Sequence, residues 1–223
     1  MAESVDAIRR LQRRLVDVMV RQPGYRFFFG PDEVEPLGPE RAGGPPVSAP
    51  RVLVACIGNV FLGDDGFGVA VARRLATRPL PEGALVVDFG IRGYDLAMSL
   101  TAGAHDAAVL VDATPRGGPP GTLYVIDAVK EEVERAPLAP LADPHAMEPA
   151  QVLRLARHLG PLPARVLVVG CEPGRFGTEA EGLTGLSEPV AAAVGEAAAL
   201  VAKLVADLAA GREVGGAAED GEP

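Results

Sequence analysis

Short apolar runs separated by stretches of helical periodicity constrain this chain more than any other feature. Residues 51–57 (RVLVACI), 107–112 (AAVLVD) and 165–171 (RVLVVGC) are near-continuous aliphatic runs. They are short for core helices and too uniformly apolar for strands with one face in water, which is the pattern of strands buried on both faces. Residues 84–88 read as a further strand, and 121–126 (GTLYVI) as another at a sheet edge, because the RGGPPG turn before it leaves no room for a crossover helix. Residues 66–77, 94–102, 149–159 and 187–208 carry helical spacing. The last is alanine-rich and opens with Ser187 as its cap, with Glu188 and Pro189 in the first turn. This alternation predicts an α/β fold, a three-layer sandwich in which a five-stranded, mostly parallel, twisted sheet is covered by helices on both faces with right-handed crossovers. The commonest order for such a sheet sets strand one beside strand three.

Length and charge bound the rest. A chain of 223 residues accommodates one such domain and a small appendage. Residues 1–50 read as that appendage: an amphipathic helix over 4–21 with Ile8, Leu11, Leu15, Val18 and Met19 at helical spacing, then a Pro/Gly-rich linker. The aromatic cluster Tyr25, Phe27, Phe28 and Phe29 interrupts the linker and is expected either to dock it onto the main domain, the favoured course, or to meet a partner. The α/β domain is expected over 51–210, and 211–223 is a glycine-rich acidic tail expected to be disordered. A net charge of -9 argues against nucleic acid or an anionic membrane as partner. No run of about 18 apolar residues is evident and the first helix is studded with arginine, so no membrane span is expected and the chain is placed in the cytoplasm. The two cysteines, Cys56 and Cys171, fall on strands expected to lie well apart and are read as reduced thiols.

The chemistry concentrates in the loop after the first strand, GNVFLGDDGFG. In open α/β sheets this loop faces the ligand crevice, and the following helix opens there with its partial positive charge. A dinucleotide fingerprint fails on spacing: with Gly66 and Gly68 as its first two glycines the third would stand at Val71, and a start at Gly58 meets Val60. Adjacent carboxylates, Asp64 and Asp65, would also repel a phosphate. Taken singly, Asp65 reads as a helix cap and Asp64 as a turn residue, and His145 as a solvated loop histidine. His105 and His158 read as loop and helix-surface residues. Asp112 is different, since it ends an apolar strand where a carboxylate is costly unless something compensates it. Together Asp65, Asp112 and His145 emerge from carboxyl-end loops of one sheet and make an O,O,N donor set suited to a borderline divalent ion such as nickel or zinc, with coordination positions left open.

Ordered blocks across 51–208 carry a family resemblance: GNVFLGDDGFG (58–68), VVDFGIRG (86–93), VLVDATPRGGPPGTLYVID (109–127), DPHAMEP (143–149) and VLVVGCEP (166–173) leading to GLSEPV (185–190). Together they resemble the hydrogenase maturation proteases, the endopeptidases that trim the C-terminal extension from the large subunit of nickel-iron hydrogenases. The resemblance implies a five-stranded twisted sheet and a metal-binding and catalytic triad matched here by Asp65, Asp112 and His145. It implies nickel delivered with the substrate and used as a checkpoint, zinc or cadmium as stand-in ions in vitro, and the [NiFe]-hydrogenase large-subunit precursor as partner. It implies no protease nucleophile. Asp88 matches the acid of a family loop written DGGT; here the loop reads DFGIRG, with Phe89 and Arg92 where the family has small residues. Arg92 is left between a substrate acid and a bridge to Asp88 or Asp95. A non-proteolytic nickel chaperone on the same scaffold is the alternative function.

Overall fold

In a computed structural model the described residues are 51–128, 149–177, 182–212 and 214. The expected helix over 4–21, the linker with its aromatic cluster, His145 and most of the acidic tail lie outside them. All described residues belong to one unit, Val47–Pro223.

Five strands form one sheet: β1 (Val52–Ile57), β2 (Ala84–Gly90), β3 (Ala107–Ala113), β4 (Leu123–Asp127) and β5 (Arg165–Cys171), in the order β2-β1-β3-β5-β4. β1 pairs in parallel with both β2 and β3, β3 pairs in parallel with β5, and β4 closes the edge antiparallel to β5. Both the β1–β3 adjacency and the edge position of β4 are as the sequence predicts. The helices are α1 (Phe67–Leu75), α2 (Gly93–Thr101), α3 (Pro149–Leu159) and α4 (Glu188–Ala209).

Two cores divide the side chains by strand alternation. On one face Val52, Val54 and Cys56 of β1, Val109 and Val111 of β3 and Val169 of β5 pack against Phe67 and Val71 of α1 and Val201 and Val205 of α4. On the other, Leu53 and Ile57, Leu110 and Val168 pack against Leu96 and Leu100 of α2 and Val152 and Leu153 of α3. The three-layer sandwich follows, with a sheet too dry for any polar side chain except at its strand ends.

By length and mean hydropathy (1.6), α4 is long and apolar enough to cross a membrane. Yet Val190, Ala197, Val201, Leu204 and Val205 are buried in the core against the sheet.

Close backbone approach sets the front edge of the fold. A Cβ on Gly68 would lie 2.1 Å from the Ile57 carbonyl oxygen and 2.4 Å from that of Val111. Only glycine lets the first turn of α1 sit on the carboxyl ends of β1 and β3, which is what builds the crevice at the topological switch point.

Candidate active site

Gly58 turns the chain out of β1 with φ +137°, and its N–H donates to the Gly90 carbonyl at 3.0 Å, joining the ends of β1 and β2. A side chain at Gly58 would begin 1.8 Å from the backbone oxygen of Asp65, so the acidic turn packs directly on this glycine. Asp64–Gly66 form a single 3-10 turn that packs against β3 before α1 begins.

Asp65 is half-buried, and its Oδ2 accepts the Asn59 N–H at 2.7 Å. Asn59 in turn accepts the Phe61 N–H at Oδ1, 3.0 Å, so the loop folds back around the carboxylate. Asp65 does not cap α1: the N-cap is Gly66, with no side-chain bond.

Asp112 lies in β3 opposite Gly170 of β5 and is 4% exposed. The residue before it, Val111, is the one on which Gly68 rests. Asp65 and Asp112 therefore flank the same junction, where α1 opens over the ends of β1 and β3. Among the described residues no group of three or more His, Cys, Asp and Glu is arranged to hold an ion. The junction supplies two acids, and His145 lies outside the described residues.

Asp88 stands beside Cys56 in the β1–β2 register, and its Oδ1 accepts the Gly90 N–H at 2.9 Å. Arg92 turns back on its own loop. Its guanidinium donates to the backbone carbonyls of Asp88 and, at 3.1 Å, Phe89, and lies over the Phe89 ring at 5.9 Å. It thereby fixes the exit from β2.

Two carboxylates that sequence reasoning passed over hold the site's walls. Asp64 stands in a turn, as the sequence suggests, but its carboxylate is engaged. It is fully buried, its Oδ2 accepting the N–H groups of Gly174 and Arg175 and the Ser187 hydroxyl, each at 2.8 Å, while its Oδ1 accepts the Ser187 N–H. Burial alone would raise its pKa, but the bonds from Ser187, Arg175 and Gly174 outweigh it and hold the group below the usual carboxylate range. Ser187 occupies the N-cap position of α4 as expected, yet its side chain makes no cap bond because the hydroxyl is turned to Asp64.

Glu172, 5% exposed just past β5, accepts the N–H groups of Arg116 at 2.7 Å and Gly117 at 3.1 Å and the Tyr124 hydroxyl at 2.8 Å. Burial pushes its pKa up and these donors more than reverse that. Glu172→Gln, which turns amide hydrogens toward existing donors, is expected to cost about 1–3 kcal/mol. Denaturant melts of the two proteins check this, and superimposable curves would refute it.

Both cysteines are buried and unbridged. Burial, reinforced by Asp88 and Asp112 at Cys56 and by Asp64 and Glu172 at Cys171, pushes each thiol up to about 12. Neither is a nucleophile at neutral pH, since the thiolate is the reactive form.

The sequence and the fold are similar to those of known proteins. Residues 69–204 match the family model described as hydrogenase maturation protease. The hydrogenase expression/formation protein HupD of Rhizobium leguminosarum bv. viciae is 34% identical over 62% of this chain and 63% of its own length. HupM of Azotobacter chroococcum mcd 1 is 34% identical over 72% of this chain and 74% of its own. Among solved structures, the hydrogenase maturating endopeptidase HybD from E. coli superimposes with a TM-score of 0.57 at 28% identity, covering 71% of this chain and 93% of that one. With a fold and a sequence that match those proteins over most of the domain, the chain belongs to the hydrogenase maturation protease family of endopeptidases.

Proposed function

We propose that this protein acts in the cytoplasm as the endopeptidase that removes the C-terminal extension of a [NiFe]-hydrogenase large-subunit precursor. The substrate arrives with its nickel already inserted, and Asp65, Asp112 and His145 complete the ion's coordination. The observation that carries this reading is the pair of acids at the β1–β3 junction, one half-buried and one 4% exposed. Carboxylate and imidazole donors suit a borderline divalent ion.

Chain geometry supports the third ligand. α3 ends at Leu159, a short connection before β5 begins at Arg165, so the helix runs back along the sheet and starts at the carboxyl edge. His145 precedes Pro149 by four residues, a tether of at most about 14 Å.

Anchoring the ion holds the neighbouring peptide bond in one pose, and such positioning is worth roughly 7–11 kcal/mol in well-oriented systems. Hydrolysis then breaks the C–N bond, with water adding hydroxyl to the carbonyl carbon and a proton to the departing amine.

Mass spectrometry of nickel-loaded precursor incubated with the protein tests the reading. The expected result is two products whose masses sum to that of the precursor plus one water. An unchanged precursor mass would instead make the protein a nickel chaperone or checkpoint.

A further inference from the structure

Of the large hydrophobic side chains exposed among the described residues, Val60, Phe61, Ile91 and Phe176 sit on loops at the carboxyl edge, and Leu85, on β2, is the one that does not. Phe61 is 62% exposed, Ile91 60% and Phe176 49%. Scattered apolar residues on a surface are ordinary, whereas a cluster at one edge marks an interaction site.

Hydrogen bonds join these loops into one surface. The Gly58 N–H donates to Gly90, beside Ile91, at 3.0 Å. Gly63 bridges antiparallel to Phe176, and the Gly177 N–H donates to Leu62 at 3.0 Å. Asp64 ties the same two loops together from beneath through Gly174 and Arg175. The apolar side chains thus stand on a braced rim, and Asp65, Asp88 and Asp112 lie at the strand ends within it.

We propose that Phe61, Ile91 and Phe176, with Val60, form an apolar collar that grips the polypeptide flanking the scissile bond of the large-subunit precursor. The assignment rests on the function proposed above. Charge selects the occupant. A second copy of this chain would bring another net charge of -9 toward an acidic crevice, whereas the precursor brings a divalent cation to it. An extended polypeptide also supplies what such a rim needs, apolar side chains on either side of the charged centre.

The test measures binding apart from cleavage. Nickel-loaded precursor from the same organism is immobilised, and the full-length protein is compared with the triple variant Phe61→Ser/Ile91→Ser/Phe176→Ser and with Leu85→Ser. The triple variant is expected to fold normally and to bind at least about tenfold more weakly, and Leu85→Ser to bind like the wild type. Equal affinity for wild type and triple variant, or no binding by the wild type, overturns the collar. So does sedimentation of the wild type as a dimer that the triple substitution splits, which assigns the surface to a second copy. A wild type that binds through the collar but leaves the precursor mass unchanged keeps the collar and removes the protease reading.

Discussion

Replacing Asp112 by alanine is expected to slow processing of the nickel-loaded precursor on the order of a thousandfold. Activity falls because the proposed coordination loses a carboxylate from a strand position that no neighbouring residue can replace. The strand ends are also crowded with negative charge: Asp88 and Asp112 both lie near enough to Cys56 to raise its thiol. Asp65→Ala should lose comparable activity and forfeit about 1 kcal/mol with the Asn59 bond. His145→Ala should match the two in activity. Processing rates by mass spectrometry and a thermal melt of each variant supply both readouts. Wild-type processing by any one of the three would remove that residue from the proposed coordination.

The sheet was legible because burial on two faces leaves a continuous apolar run that no other element of that length produces. β5 and α3 fall on the expected residues, and the remaining elements differ from expectation by one or two residues at an end. Asp65 and Asp112 could be singled out for a similar reason: each interrupts a local pattern, one a glycine loop and the other an apolar strand.

What stayed hidden has its partners far away in sequence. Asp64 bonds to residues 110, 111 and 123 positions on, and Glu172 to residues 48, 55 and 56 positions back. No window of sequence contains such a pair, so Asp64 looked like a turn residue and Ser187 like an ordinary cap. The bonds of Arg92 stayed hidden for another reason, since backbone carbonyls have no sequence signature and it bonds to two of them.

Asp64→Ala is accordingly expected to cost about 3–5 kcal/mol, the range for stripping a buried charge network of its partner. Four donors, the N–H groups of Gly174, Arg175 and Ser187 and the Ser187 hydroxyl, would be left facing a cavity. For a domain of this size that lowers the melting temperature by roughly 10 °C. Acid supplies an independent check. The folded-state pKa of Asp64 is depressed, so the stability it contributes is fully present above its unfolded value near 3.8 and is lost as pH falls through the folded value. The gap between wild type and Asp64→Ala should therefore be constant from neutral pH to about pH 5 and narrow in more acid solution. Glu172, Asp106 and Asp207 are likewise depressed, but they titrate in both proteins and cancel in the difference. Denaturant titrations of the pair across that range measure the gap directly. A variant as stable as the wild type at pH 7, or a gap that widens in acid, would show that Asp64 does not tie the loops after β1 and β5 together, and the braced rim around Asp65 would need another explanation.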